Sequence, residues 1–221
     1  MKILNFIPFF DFKNFKNAEI LNISPFNEKS GKTVKCEVGS INYVLAMICE
    51  RFYDDSFFHS LDIGFLSGEC NVGEEEIDEI SDFLKVTEIL IIDENTLKFH
   101  TDRQNIENFL AILKQKFSLK ILNQNEDEIY LKKTEFNELK ELENFDGSVV
   151  FEHVKNLDFV GGKYFAMVAK IANGDEVEIK TKNFSVRRIF KLDENLKGTI
   201  ALLGVNEIKN YNFETAKISK V

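Results

Sequence analysis

Residues 61–79 have the sequence LDIGFLSGECNVGEEEIDE, which differs in character from the rest of the chain. Three glycines fall within ten residues, and an unbroken run of three glutamates follows the last of them. Glycine permits backbone angles with positive φ and close approach by another chain segment. We therefore predict a structured loop through this stretch. The residues of that predicted loop are Gly64, Gly68, Cys70 and Gly73.

An acidic amphipathic helix is predicted directly after this loop. Gly73 is a candidate N-cap, and Ile77, Ile80 and Leu84 have the i, i+3, i+7 spacing of a buried stripe. Glutamates 74–76 fall in the first turn, where the positive end of the helix dipole stabilises carboxylates. The sequence thus predicts a buried apolar stripe and an acidic first turn in the same helix.

Glycines before a helix can also bind nucleotide phosphates. A phosphate site has Lys, Ser or Thr at the helix start, whereas three glutamates there would repel an anionic ligand. The chain also contains neither G-x-G-x-x-G nor G-x-x-x-x-G-K-[ST]. We predict a structural turn or a docking surface instead of a nucleotide site.

Composition limits the class of protein. A chain of 221 residues that is 44% hydrophobic, with 22 Phe, can form one large core or two smaller ones. A net charge of −9 disfavours nucleic acid and anionic membranes as main partners, since binding either requires a basic face. Apolar runs are too short for membrane insertion, and the run in residues 1–10 is too short for a signal peptide. We expect a cytoplasmic protein.

The residue types that hold cofactors are sparse. Cys36, Cys49 and Cys70 are far apart with no C-x-x-C pair, and the three histidines have no metal-binding spacing. We expect no flavin, cluster or metal bound by this chain. Cys70 remains a candidate nucleophile because it precedes a helix start, although the neighbouring glutamates oppose a lowered pKa.

The predicted fold class is α+β: a mixed N-terminal domain, residues 1–145, and a small β-rich C-terminal domain, residues 146–221, of barrel or sandwich type. In the first domain, residues 1–15 are predicted as an extended segment or edge strand, and two hairpins and three helices follow in addition to the acidic helix. The hairpins pair 88–92 with 96–100 and 118–122 with 128–132, and the helices cover 40–52, 101–117 and 134–143.

Five strands and no helix are predicted in the C-terminal domain. They cover 148–154, 164–171, 176–180, 185–192 and 198–203. Asn173-Gly174 predicts a hairpin turn. Gly161 and Gly162 are interpreted as a turn because no helix is predicted after them.

Negative charge is concentrated in residues 62–94, which contain eleven Asp or Glu and a single lysine, Lys85. This imbalance accounts for the negative charge of the whole chain, and it predicts a docking surface for a basic partner. The alternative is a solvated face that keeps a Phe-rich protein soluble. The candidate docking residues are Asp62, Glu69, Glu74, Glu75, Glu76, Asp78, Glu79 and Asp82.

Residues 62–76, DIGFLSGECNVGEEE, resemble a segment of an atypical small subunit of the proton-pumping NADH:quinone oxidoreductase, complex I, of epsilon-type proteobacteria. That subunit stands where other bacteria carry the NADH-binding subunit. Residues 196–202, LKGTIAL, are similar to the end of the molybdopterin-oxidoreductase-like large subunit of the same complex. The chain lacks the glycine-rich FMN and NADH loop and the four cluster-binding cysteines of the usual NADH-binding subunit.

The resemblance implies a non-catalytic peripheral-arm subunit of a complex-I-like respiratory oxidoreductase. Its partners would be cluster-bearing subunits with a basic docking face, and electrons would enter from a donor other than NADH. The protein would then associate with the cytoplasmic side of the inner membrane through those partners. Two alternatives stay open: a stand-alone cytoplasmic enzyme that uses the Cys70 loop, and an adaptor or regulatory protein unconnected with respiration.

Overall fold

The computed structural model describes residues 1–132 and 134–221. The polypeptide divides into two compact units, Met1–Leu142 and Glu143–Val221. The first unit is an α/β unit and the second is a mixed β-sheet unit, which confirms the predicted combination of a mixed N-terminal domain with a β-rich C-terminal one. Within the described residues, no helix has the length and apolar character needed to cross a membrane.

A parallel five-stranded sheet organises the first unit, in the order β3-β2-β1-β4-β5. Its strands are β1 (Lys2–Asn5), β2 (Glu19–Ser24), β3 (Lys32–Lys35), β4 (Ile89–Ile91) and β5 (Lys120–Leu122). The helices are α1 (Ile41–Glu50), α2 (Ser56–His59), α3 (Ile63–Cys70), α4 (Glu74–Leu84), α5 (Glu94–Phe99) and α6 (Arg103–Phe117).

Both faces of this sheet are covered, as expected for parallel strands that read as continuous apolar runs. Leu4 of β1 belongs to the large core shared with α1, α4 and α6, whereas the adjacent Ile3 belongs to a second cluster. That second cluster includes Phe10, Phe12 and Phe15. The N-terminal segment therefore packs on its own unit, and β1 is a central strand; the prediction of an edge strand was wrong.

The first predicted hairpin is also wrong, because residues 96–100 lie in or next to helix α5. The Asp93 side chain accepts a hydrogen bond from Asn95 N (2.8 Å) and so caps this helix. Instead of pairing with 96–100, β4 lies between β1 and β5. In the second predicted hairpin the two arms meet near the turn, where Leu122 and Glu128 form an antiparallel bridge and Ile129 N donates to Ile121 O (2.9 Å).

The unit 2 sheet has seven strands in the order β11-β6-β10-β7-β9-β8-β12, with parallel and antiparallel neighbours, and is curved into a half-barrel. The strands are β6 (Val149–His153), β7 (Phe159–Gly161), β8 (Glu176–Lys180), β9 (Ser185–Leu192), β10 (Ile200–Gly204), β11 (Phe213–Thr215) and β12 (Lys217–Lys220). A single residue, Ala216, separates β11 at one edge from β12 at the other. Because Thr215 and Lys217 are two residues apart in the chain, their Cα atoms lie within about 7 Å of each other, so the two edges approach each other there.

Residues 164–171 are not a strand, since α7 (Lys163–Ala169) occupies most of this stretch. Gly162 is its N-cap, so a helix does follow the two glycines, contrary to the prediction. A Cβ at position 162 would lie 2.1 Å from the Leu196 carbonyl oxygen, which explains the glycine. Asn173-Gly174 does form a turn, in which Asp175 N donates to Ala172 O (3.0 Å), but it connects α7 to β8 instead of joining two strands.

Candidate functional site

The acidic helix is α4, which begins at Glu74 after the N-cap Gly73 and ends at Leu84. Ile77, Ile80 and Leu84 are buried, so the predicted cap and buried stripe are confirmed. The eight candidate docking carboxylates are all on exposed residues of α3, α4 or the residue before α3, and we call this set the acidic face. Its members are Asp62, Glu69, Glu74, Glu75, Glu76, Asp78, Glu79 and Asp82.

Half of the acidic face is paired within the chain. Arg51 makes ion pairs with Asp78 (2.9 Å) and Glu74 (3.5 Å). Two lysines complete the set: Lys32 pairs with Glu79 (2.6 Å) and Lys85 pairs with Asp82 (2.7 Å). Exposed ion pairs are weak but reduce the field that a partner meets.

Asp62 has a different role, since its side chain accepts a hydrogen bond from Phe65 N (3.0 Å) at the start of α3. Among the described residues, Glu69, Glu75 and Glu76 form no ion pair with a basic side chain. These three carboxylates form the part of the acidic face that is left for a partner.

The predicted glycine loop is instead helix α3, which contains Gly64, Gly68 and Cys70. The Asp62 cap starts this helix, and burial of Leu66 and Cys70, four residues apart, fixes one side of it. Asn71 ends it in the left-handed conformation at φ 55°. Glycine costs a helix about 1 kcal/mol relative to alanine, a penalty that capping and burial offset here.

The Cys70 thiol is fully buried, with its Sγ 3.8 Å from Ser67 O. Burial raises the pKa of Cys70 to about 11, so the thiolate needed by a nucleophile is disfavoured. Burial likewise raises the pKa of Cys36 to about 12 and that of Cys49 well above its ordinary value. Cys49 and Cys70 are buried and Cys36 is half-buried, and in all three the raised pKa disfavours the reactive thiolate.

Across residues 1–132 and 134–221, no group of three or more His, Cys, Asp or Glu side chains is arranged to hold a metal ion. His100 and Asp102 are neighbours, yet the contact is between Asp102 N and His100 Nδ1 (3.0 Å) and does not involve the carboxylate. His100 Nε2 lies 2.8 Å from Gly39 O. With Nδ1 accepting, the proton is on Nε2, which makes this histidine a structural residue and not part of an acid–base dyad.

The sequence analysis did not predict a role for two groups of polar residues. Asn105 and Asn108 on α6 hydrogen-bond the backbone of residues 134, 135 and 137. These three residues belong to the segment 134–142, which we call the strap. The prediction of a helix over 134–143 is wrong, since no helix forms there. The other group is Glu152 and Glu214 in the half-barrel. The available signal for Glu152 was its position in the apolar run VVFEH, where a solvated carboxylate is unexpected.

No protein-family model matches this chain, and a search of curated proteins also finds no match. The comparisons thus leave the family resemblance as a prediction from the sequence.

Proposed function

We propose that this chain is a non-catalytic peripheral-arm subunit of a complex-I-like respiratory quinone oxidoreductase. It docks to iron–sulfur subunits at a point where electrons enter from a donor other than NADH. The protein is held at the cytoplasmic side of the inner membrane by those partners and not by its own insertion.

The observation that carries the proposal is the exposed acidic face of α3 and α4, whose Glu69, Glu75 and Glu76 have no ion pair among the described residues. A basic surface on a neighbouring subunit would supply the missing positive charges. The sequence resemblance of residues 62–76 supplies the respiratory context, since it covers both α3 and the first turn of α4.

The stand-alone enzyme is the weaker candidate because it needs a reactive Cys70. Burial that raises the pKa of that thiol opposes such a role. A non-respiratory adaptor would use the same acidic face with a different partner, so identification of the partner decides between the two docking roles.

Tagged protein isolated gently from membranes tests the assignment. We expect it to co-purify with iron–sulfur subunits of a quinone oxidoreductase. Recovery of the chain from membranes without any iron–sulfur protein would contradict the respiratory role.

A pair of matched variants tests the docking surface in that assembly. The first is Glu69→Gln/Glu75→Gln/Glu76→Gln, which removes carboxylates without internal partners. The control is Asp78→Asn/Glu79→Gln/Asp82→Asn, which removes the same number of carboxylates, each of which has its own cation in Arg51, Lys32 or Lys85.

We expect the first variant to associate with the iron–sulfur subunits more slowly than the control does. We also expect its association rate to depend less on salt concentration. The comparison spans ionic strengths at which the Debye length falls from about 30 Å to about 8 Å. Association identical to wild type for both variants at every salt concentration would make the acidic face a solubility device.

A further inference from the structure

Two glutamates face the interior of the half-barrel. Strands β6 and β11 are antiparallel neighbours in which Glu214 is the register partner of Val150. Glu152 follows Val150 by two residues, so both glutamates lie on the Val150 face of the sheet. Val150 belongs to the apolar core of this unit, as does Leu203, the register partner of Glu152 on β10.

Both carboxyl groups are buried, and each has an oxygen atom without a hydrogen bond among the described residues. Glu152 is 2% exposed and Glu214 is 8% exposed. Glu152 Oε1 and Glu214 Oε2 are buried and have no hydrogen-bond partner among the described residues. Two ionised carboxylates in this position would carry a large desolvation cost together with mutual repulsion.

In the part of the chain that the structure describes, no cation neutralises the pair. Asn183, in the turn between β8 and β9, donates to Glu214 Oε1 through its side-chain amide, which is neutral. Arg188 of β9 shares the inner face with Phe190, but its Nη2 lies 3.5 Å from Gly204 O. Among the described residues, no basic side chain forms an ion pair with Glu152 or Glu214.

The remaining neighbours also leave the pair uncompensated. His153 follows Glu152 on β6 and so points to the opposite face, where its Nδ1 accepts from Lys155 N (3.3 Å). From β10 the facing residue is the apolar Leu203. Burial, followed by the charge of Glu214, raises the pKa of Glu152 to about 7.

We propose that Glu152 is a proton-binding site, built by its burial beside Glu214 on the inner face of the half-barrel, that holds its proton at neutral pH and loses it on alkalinisation. The proton turns one oxygen into a donor and removes one of two like charges. Its loss leaves an uncompensated negative charge buried on β6 beside the Glu214 carboxyl, so it weakens the attachment of β11. Ala216 joins β11 directly to β12. A weaker attachment of β11 therefore also loosens the contact between the two sheet edges. The site is independent of the proposed docking function.

A carbon-13 NMR titration of the glutamate carboxyls in the full-length protein tests the site directly. We expect the Glu152 carboxyl to titrate near pH 7, well above the ordinary 4.5. Glu214→Gln removes the like charge, so it should lower the apparent pKa of Glu152 while the buried position keeps it above the ordinary value. A Glu152 carboxyl that titrates in the ordinary range, or one that Glu214→Gln leaves unmoved, would overturn the proposal.

The stability of unit 2 gives a second measurement. A carboxyl whose folded pKa is raised contributes stability that is complete below its unfolded pKa and is lost as pH rises through the folded pKa. The denaturant midpoint of wild type should therefore fall from about pH 5 to about pH 8. Glu152→Gln mimics the protonated acid and should remove most of that fall.

Glu176→Gln, an exposed position on β8, is the control and should retain the wild-type pH dependence. An equal fall in all three proteins would overturn the proposal. If Glu152→Gln does not fold, the wild-type titration and the Glu214→Gln comparison still decide the question.

Discussion

Asn105 and Asn137 exchange two hydrogen bonds: Asn105 Nδ2 donates to Asn137 O at 3.0 Å, and Asn137 N donates to Asn105 Oδ1 at 3.0 Å. A side-chain amide carries a donor and an acceptor side by side, so it can replace a neighbouring strand in binding the backbone of the strap. Asn108 acts in the same way, since it accepts from Thr134 N (2.7 Å) and donates to Glu135 O (2.9 Å).

Asn105→Ala should destabilise unit 1 because it leaves the backbone groups of Asn137 without these partners. It also removes a donor to Asp102 (2.9 Å). We expect a loss of about 1–3 kcal/mol in the free energy of unfolding, measured with urea, and faster proteolysis within the strap. Gln115→Ala, on an exposed position of the same helix, should have little effect on either measurement. Equal behaviour of the two variants would show that the amide clamp contributes little.

Gly68→Ala should stabilise the protein. Gly68 lies in helix α3 with no atom within 4 Å of an added Cβ, and alanine is the better helix former. We expect a gain of about 0.5–1 kcal/mol in the free energy of unfolding. Gly31→Ala is the opposite control, because Gly31 has φ +79° and an added Cβ would lie 2.3 Å from Ile20 O. A destabilising Gly68→Ala would instead favour the loop predicted from the sequence.

The Cys70 thiol should react slowly in the native protein. Its raised pKa of about 11 leaves far less thiolate at neutral pH than an ordinary cysteine has. We expect alkylation by iodoacetamide to be at least about 100-fold slower than that of free cysteine, with normal reactivity restored in denaturant. Cys36→Ala/Cys49→Ala protein reports on Cys70 alone. Native reactivity that matches or exceeds free cysteine would revive the enzyme hypothesis.

His100 should stay neutral to lower pH than a free histidine. Burial lowers the pKa of its imidazole from 6.5, with the Lys140 ammonium acting in the same direction and the Gly39 carbonyl opposing it. A base with a lowered folded pKa gives stability that is present above its unfolded pKa and is lost as pH falls through the folded value. An NMR titration of the ring should therefore show a midpoint below that of a histidine peptide. A midpoint at or above the peptide value would contradict the buried, neutral assignment.

Local periodicity and capping predicted much of the fold. The Gly73 cap and the stripe of Ile77, Ile80 and Leu84 place α4 correctly, because i, i+3, i+7 burial and a first-turn cap are properties of the helix itself. Strands β8 and β9 match the predicted ranges 176–180 and 185–192 for the same kind of reason. Helix α6 ends at Phe117 as predicted and begins at Arg103, two residues after the predicted start.

The predictions failed for segments whose local patterns are ambiguous. The structure of each of these segments is decided by contacts with distant residues. The strap has a helical pattern, yet its backbone bonds go to Asn105 and Asn108, which precede it by 26 to 32 residues. The stretch 164–171 has an apolar pattern that fits a strand, but Phe165 is buried from helix α7 while Tyr164 and Met167 are exposed. Hydrophobicity alone does not distinguish these cases.

The sequence by itself determined the acidic character of residues 62–94, the amphipathic helix α4 and the division into an α/β part and a β-rich part, because these follow from composition and short-range spacing. Only the tertiary structure decided which charges remain for a partner, since Arg51 and Lys32 reach carboxylates 23 to 47 positions away. It also brought Glu152 and Glu214 to one face of neighbouring strands, 62 positions apart in the chain. Strand register and ion pairing are set when the whole core forms, so no local pattern encodes them.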